Sequence, residues 1–321
     1  MSETRLTPEI ELDGFSAEEA FSVLGDETRL DIIRVLWQAG ALREYDDLDE
    51  TTSTMSFSEL RRRVDVDDNG RFNYHLSKLR PHFVCQTDDE YRLSGAGKKI
   101  ARTVVAITGD PDHNVADEVT TDCPVCGGPV VATYEDQWLR FSCTECDGLF
   151  GDCNPDGTLV NSSFPAAGMT RRGADEAFRT SLYRCMLDLT YMMQGICREC
   201  AGPIRGSLSV CGDHDDANRP CEACGTNFAA WGAMECEGCR FAKQLPVELC
   251  VLGVPTVVAL LYRHDVNVLS PTLHEVVDLL QSQIETSVTE DPRRVTATVT
   301  VDGDTLTLTL DDALCVVDIA D

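Results

Sequence analysis

Six pairs of metal-binding side chains, each pair separated by two residues, run through residues 123–239 of this chain. They are Cys123/Cys126, Cys143/Cys146, Cys197/Cys200, Cys211/His214, Cys221/Cys224 and Cys236/Cys239. Two intervening residues let one tight turn aim both side chains at a single ion, and a tetrahedral ion needs two such turns. Six turns therefore make three complete Zn2+ sites. Disulfides would need an oxidising compartment. The opening MSETRLTPEIELDG is acidic and carries no apolar signal region, so reduced thiols and a cytoplasmic location are expected. Shells of four Cys, or three Cys and one His, leave no open coordination position, which predicts structural rather than catalytic ions.

The first site is the plainest: CPVC, sixteen residues, then CTEC, with strand-like sequence between as a zinc ribbon needs. The later ligands allow two pairings. CPVCGGPV…CTECDGLF aligns with CRECAGPI…CEACGTNF, which favours one site from Cys197, Cys200, Cys221 and Cys224, interleaved with one from Cys211, His214, Cys236 and Cys239. The sequential alternative joins Cys197/Cys200 to Cys211/His214, and Cys221/Cys224 to Cys236/Cys239. Cys85, Cys153, Cys185, Cys250 and Cys315 lie outside paired spacings and read mostly as buried apolar thiols. His113 and His264 read as surface residues.

The net charge is −28, with 55 acidic residues against 27 basic ones, and only four of the latter are Lys. Such a surface resembles those of proteins from extreme halophiles, especially haloarchaea, which stay hydrated while salt screens their self-repulsion. The charge then reports habitat and does not exclude nucleic acid. The best apolar run, 249–261, is too short for a bilayer and is interrupted by Pro255, so no membrane span is expected.

Along the chain, 1–14 reads as a disordered leader and Ser16 with Glu19 as a capping box. A helical run Glu27–Gln38 follows, with Leu30, Ile33, Val35, Leu36 and Trp37 as its buried stripe. Residues 43–54 read as a loop, 58–64 and 71–79 as helices, 83–93 as a hairpin and 94–107 as a helix. Residues 109–122 are an acidic linker, 123–164 a zinc ribbon, 173–195 a helix, and 196–243 a two-zinc module. The end, 245–321, reads as a small α+β unit: helices over 247–263 and 271–287, a hairpin turning at Asp302-Gly303, and a strand over 313–319.

Helix, helix, turn, helix, hairpin, helix in residues 15–108 is the order of a winged helix-turn-helix. FSVLGDETRLDIIRVL (21–36), FSELRRRVDVDDNGRFNYHLSKL (57–79) and FVCQTDDEYRLSGAGKKI (83–100) together resemble ArsR-type winged-helix transcriptional regulators. The resemblance covers about a third of the chain. It implies double-stranded DNA as partner, a homodimer contacting through the first and last helices, and helix 71–79 in the major groove. Phe72, Leu76 and Leu79 share one face of that helix, leaving Arg71, Asn73, Tyr74, Ser77 and Lys78 outward. Arg, Asn and Ser can read base edges, whereas Lys and Tyr more often hold phosphates. His75, which reads as a packed or phosphate-contacting histidine rather than a base reader, and, in the hairpin, Arg92 complete the candidate contacts. Residues 61–102 hold ten basic against six acidic side chains, a positive island suited to phosphate. Metal-sensing members of the group carry a cysteine motif near the recognition helix. Leu60–Asp68 has none, so sensing by that route is unsupported.

The expectation is thus a multidomain α+β chain with an N-terminal winged helix-turn-helix, central zinc-ribbon-like modules and a small C-terminal α+β unit. Its expected function is DNA-binding transcriptional regulation, with a protein or small-molecule effector acting at the C-terminal region. The competing function is a zinc-ribbon adaptor whose winged helix does not read DNA. No nucleophile–base set stands out, so an enzyme is not expected.

Overall fold

A computed structural model describes residues 16–41, 54–80, 82–108, 116–152, 154–170, 172–215 and 220–320. The expected leader, nearly all of loop 43–54, linker residues 109–115, Cys153 and His113 lie outside the described residues. The chain divides into two units, 1–109 and 110–321, and both mix helices with small antiparallel sheets.

In the first unit, α1 (Ala17–Leu24) opens on the expected capping box. The Ser16 hydroxyl accepts from the Glu19 N–H at 3.1 Å, and the Glu19 carboxylate accepts from the Ser16 N–H at 2.8 Å. Helix α2 (Glu27–Ala41) supplies the spine of the core through Ile32, Ile33, Val35 and Leu36. Leu30, expected in that stripe, is 42% exposed, and Ile32 is buried instead. At 3.6 residues per turn, Ile32 and Leu36 share the centre of the inward arc while Leu30 points to the far side. Helix α3 (Phe57–Val64) is capped by Ser56 and stops at Asp65, whose φ of 59° takes the chain out of the helix. Helix α4 (Asn69–Leu79) starts at Asp68, whose carboxylate accepts from the Arg71 N–H. It buries Phe72, Leu76 and Leu79, as its apolar spacing predicts.

The expected hairpin is β2 (Val84–Thr87) with β3 (Glu90–Leu93). A two-residue strand, β1 (Met55–Ser56), joins the other edge of β3, at the end of the expected loop. Two residues carry no readable period. Only the burial of Met55 reveals why the chain is drawn in there. Helix α5 (Gly95–Ile107) closes the unit, capped by Ser94.

The second unit holds three antiparallel sheets around one core. The first is β4 (Ala116–Glu118), β5 (Val130–Glu135), β6 (Trp138–Cys143) and β7 (Thr158–Ser163), in chain order. After the short α6 (Ala166–Met169) comes the long α7 (Ala174–Met193). The second sheet is β8 (Ile204–Val210), β9 (Ala230–Cys236) and β10 (Ala242–Pro246). Helices α8 (Val247–Val251), α9 (Pro255–Arg263) and α10 (Leu273–Asp278) lead to the last sheet. That sheet is β11 (Ile284–Glu290), β12 (Arg293–Val301), β13 (Asp304–Asp311) and β14 (Val316–Ala320).

Three expectations are corrected here. The segments 123–164, 173–195, 196–243 and 245–321 are not separate bodies, since Phe141, Phe178, Leu189, Met234, Val257 and Leu308 belong to one continuous core. Helix α7 makes this possible. Phe178 meets Phe141 edge-on at 4.5 Å, and the backbone at Leu189 lies so close to Gly253 that a Cβ there would clash. The helix expected over 247–263 is two helices, because Pro255 occupies a first-turn position, where its missing N–H costs nothing. The helix expected over 271–287 ends in a π-helical turn at Gln283, and Ile284–Glu290 form β11 against β12. Its β-branched residues Thr286, Val288 and Thr289 suit a pleated, half-buried strand better than a helix. The β12–β13 turn is as expected: Asp302 and Gly303 both take positive φ, 51° and 93°, the requirement of a two-residue hairpin of primed type.

Candidate metal centres and a candidate nucleic-acid face

Three groups of four ligand atoms lie within 4.8 Å of one another. They are Cys123, Cys126, Cys143 and Cys146; Cys197, Cys200, Cys236 and Cys239; and Cys211, His214, Cys221 and Cys224. All twelve expected ligands are used, and each group draws on two of the six turns.

Distances separate metal shells from disulfides. Sulfur pairs stand 3.4 Å apart at Cys126/Cys143, 3.7 Å at Cys123/Cys146, 3.4 Å at Cys200/Cys236 and 3.5 Å at Cys197/Cys239. A disulfide would need about 2.05 Å. Tetrahedral thiolates about 2.3 Å from an ion sit about 3.8 Å apart, close to what is seen. In the third group the Cys224 sulfur is 3.4 Å from Nδ1 of His214. Backbone N–H groups point at the sulfurs, from Gly128 to Cys126, Glu145 to Cys143, Gly202 to Cys200 and Asp215 to Cys221, at 3.3–3.4 Å. Such donors stabilise thiolate charge, so the donor set fits a divalent ion.

These N–H groups also make the thiols within each group unequal. At Cys236 the N–H groups of Cys239 and Gly238 pull the thiol down to about 6, while burial pushes Cys239 up to about 12. At Cys143, burial raises the thiol, but the Glu145 N–H and the neighbouring sulfurs outweigh it, and the result is a lowered value. Burial leaves Cys146 strongly raised. Each four-Cys group therefore holds one thiol lowered by N–H donors, Cys143 or Cys236, beside others raised by burial, Cys123 and Cys146 in the first group and Cys239 in the second.

Neither pairing weighed from the sequence is the one observed. The two sites within 197–239 are nested: the outer turns meet each other, and so do the inner ones. Antiparallel pairing of β8 with β9 forces this. Ile204 lies opposite Cys236 at one end of the hairpin, and Val210 opposite Ala230 at the other. The outer Cys turns flank the first end, and the turns bearing Cys211, His214, Cys221 and Cys224 lie at the second. The repeat holds, but the turn that answers Cys143/Cys146 is Cys236/Cys239 and not Cys221/Cys224. Val130, four residues after Cys126, pairs with Cys143, just as Ile204, four after Cys200, pairs with Cys236. The 197–239 segment thus repeats the 123–146 plan of turn, strand, strand, turn. In the second copy, a loop carrying Cys211, His214, Cys221 and Cys224 replaces the tight Asp136-Gln137 connection. The stretch that follows the first copy touches the second: the Asp152 N–H donates to the Gly225 carbonyl at 2.7 Å, and the Asn227 amide to the Leu149 carbonyl at 2.9 Å.

Of the unpaired thiols, Cys250 is buried as expected. Cys85 and Cys185 are half-buried, and Cys315 is exposed. His264, expected at the surface, is corrected too. Its ring is wedged between Asp302 and Asp304, 3.3 Å and 3.0 Å from their carboxylates, and fastens the end of α9 to the β12–β13 turn.

On α4, Arg71, Asn73, Tyr74, Ser77 and Lys78 are all exposed, Tyr74 at 57%. The Lys78 ammonium lies 5.7 Å from the Tyr74 ring centre, and Ser77 donates to the Tyr74 carbonyl at 2.8 Å. His75, for which packing and phosphate contact were both open, is packed. It is only 8% exposed and packs between α4 and the head of α2, with Nδ1 3.2 Å from the Asp26 carboxylate, away from any ligand on the outer face. Its sequence position, one residue before Leu76, gave a mixed signal, and nothing in the sequence pointed to Asp26. Arg61, counted in the positive island, is also engaged internally. Its guanidinium donates to the carbonyls of Val66 and Asp67 at 2.9 Å and 2.8 Å and holds the turn between α3 and α4. Arg92 is half-buried, while the hairpin tip beside it exposes Asp88, Asp89 and Glu90.

Residues 120–316 match the family described as Domain of unknown function (DUF7351). That is more than half of the chain, and the chain belongs to this family. Residues 17–104 match a second description, Domain of unknown function (DUF7347). The two matches fall on the two units, and the first takes in all three cysteine clusters. No curated protein and no solved structure matches the chain.

Proposed function

We propose that this member of the DUF7351 family is a DNA-binding transcriptional regulator whose second unit is held by three structural zinc ions and receives an effector. One observation carries the reading. Helix α4 follows α3 through a short, internally braced turn, buries Phe72, Leu76 and Leu79, and offers a continuous exposed row of Arg71, Asn73, Tyr74, Ser77 and Lys78. Those residue types serve a recognition helix in a winged helix-turn-helix, with Arg71 and Asn73 suited to base edges and Lys78 to phosphate. The acidic hairpin tip keeps that turn off the phosphates and leaves Arg92 as the wing contact. Exposed apolar side chains on the outer helices, Phe21 on α1 and Val104, Val105 and Ile107 on α5, suit a homodimer contact that would place two α4 helices on successive half-sites. Zinc is favoured by four-ligand, thiolate-rich shells without an open position, which resemble zinc ribbons and also argue against catalysis.

The test is selection of genomic fragments by the whole protein in molar salt, repeated with Arg71→Ala and Lys78→Ala combined. Loss of a bidentate Arg contact costs about 1–3 kcal/mol, and loss of one phosphate contact lowers the salt slope by about one. The wild-type chain should enrich a defined sequence and the double variant should not. Equal enrichment by both would end the assignment of α4 as reader, and no enrichment by either would favour a protein-binding adaptor.

A further inference from the structure

Two cavities in the second unit share lining and form one pocket. The larger, about 540 Å³, lies among β6–β7, the β8–β10 sheet and the loop bearing Cys211 and Cys224. The smaller, about 110 Å³, is walled by Leu159, Leu182, Met186, Leu249 and Val276. Asn161, Ser162, Cys185, Trp231 and Gln244 line both. The pocket therefore has an apolar part in the smaller cavity, shared neutral polar groups and Trp231 where the two cavities meet, and Trp138, Phe228 and Phe241 lining the larger. Its size is that of small-molecule sites, and the combination of apolar wall with few convergent polar groups is their usual composition.

Two features narrow what it would hold. The Asn161 amide nitrogen faces the Asn154 oxygen at 3.4 Å, yet its own Oδ1 is buried and accepts no hydrogen bond among the described residues. A buried acceptor of this kind is exceptional in a folded chain and calls for a donor, which a turn of the Asn161 amide toward the cavity it lines would let a ligand supply. Charge is the second feature. Lys243 is the one ionic side chain in the lining outside the Cys211 and Cys224 ligands. Its ammonium is already 3.1 Å from the buried Asp188 carboxylate, which Arg198 also holds at 2.8 Å. The pocket therefore offers ring faces and neutral hydrogen bonds but no uncompensated cation for an anion to neutralise.

We infer that this pocket binds an uncharged, planar heteroaromatic molecule with an N–H donor, of the nucleobase or nicotinamide type, with its ring among the aromatic side chains and its N–H on Asn161. This deepens the effector role given to the second unit, and it stands whether or not the first unit binds DNA. Calorimetry on the full-length, metal-loaded chain tests it with adenine, cytosine and nicotinamide as probes, against citrate and glucose. At least one planar probe should bind saturably at one per chain. Asn161→Leu should weaken that binding tenfold or more, and Ser209→Phe, which fills the mouth from an exposed strand position, should weaken it as much. Metal content is measured alongside, so that if Asn161→Leu loses ions the Ser209→Phe result decides. Silence from all three planar probes, undiminished binding in the deciding variant, or equal binding of citrate or glucose would overturn the proposal. DNA selection by the same preparations separates this failure from failure of the DNA reading.

Discussion

Cys236 and Cys221 are alike in sequence, each opening a Cys-x-x-Cys turn, and nothing local says which partner each takes. The ligand set was legible because spacing alone defines a turn that can grip an ion. The pairing was not, because it depends on which strands lie side by side, and 197–239 admits more than one arrangement on paper. The observed register, Ile204 opposite Cys236, decides it. Double substitution makes the nesting measurable. Cys197→Ala alone should lower metal content from three ions per chain to two. Adding Cys236→Ala should leave it at two, since both belong to the same site, whereas Cys197→Ala with Cys221→Ala should leave one. Metal analysis by mass spectrometry under native conditions reads these numbers directly, and the interleaved pairing would give the opposite result for the two doubles. His75 teaches the same lesson at a single position. Its position in the helix leaves packing and phosphate contact both open, and only the fold shows it buried, with the Asp26 carboxylate, 49 residues earlier in the chain, 3.2 Å away.

At the scale of elements, legibility followed the strength of local signals. The Ser16–Glu19 capping box and the Asp302-Gly303 turn are short chemical instructions, and both were followed. Residues 284–290 carried a conflict, since apolar spacing continued the helix while β-branched side chains favoured a strand, and pairing with β12 resolved it. Helix α5 contains a subtler instruction. Gly97 lies in its first turn, where Ala would ordinarily favour the helix. Any Cβ there would run into the Phe83 carbonyl and crowd Leu93. The Phe83 carbonyl already accepts from the Ser94 N–H at 3.0 Å, so the backbone has little room to retreat. Gly97→Ala should therefore destabilise the first unit by about 1–3 kcal/mol, the usual cost of overpacking. Chemical denaturation of the whole chain would show it as a shift of that unit's transition alone. A neutral or stabilising result would mean that α5 can slide away from the hairpin.

For the molecule as a whole, the division at residue 109 separates two ways of being stable. The first unit buries a conventional apolar core, Ile32, Leu36, Leu60, Phe72, Leu76 and Leu79 among it, and its described residues hold no ligand cluster. The second also has a continuous core, to which its two Cys-turn hairpins contribute Phe141 and Met234, and those hairpins carry all three clusters of candidate metal ligands. A structural zinc contributes about 10–16 kcal/mol of binding free energy at neutral pH, against a net stability of about 5–15 kcal/mol for an ordinary domain. On the proposed zinc assignment, losing even one ion would exceed what the second unit has in reserve. Stripping the metal with a strong chelator should abolish its thermal transition while leaving that of the first unit within a few degrees of its original position. Limited proteolysis of the same sample should yield a surviving fragment covering α1 to α5. Addition of zinc should restore both transitions. If the chelated chain instead melts as before, the sulfurs are brought together by the protein core alone and the ions are passengers. If both units melt together, the two depend on each other for folding, and the boundary at residue 109 is not a boundary in stability.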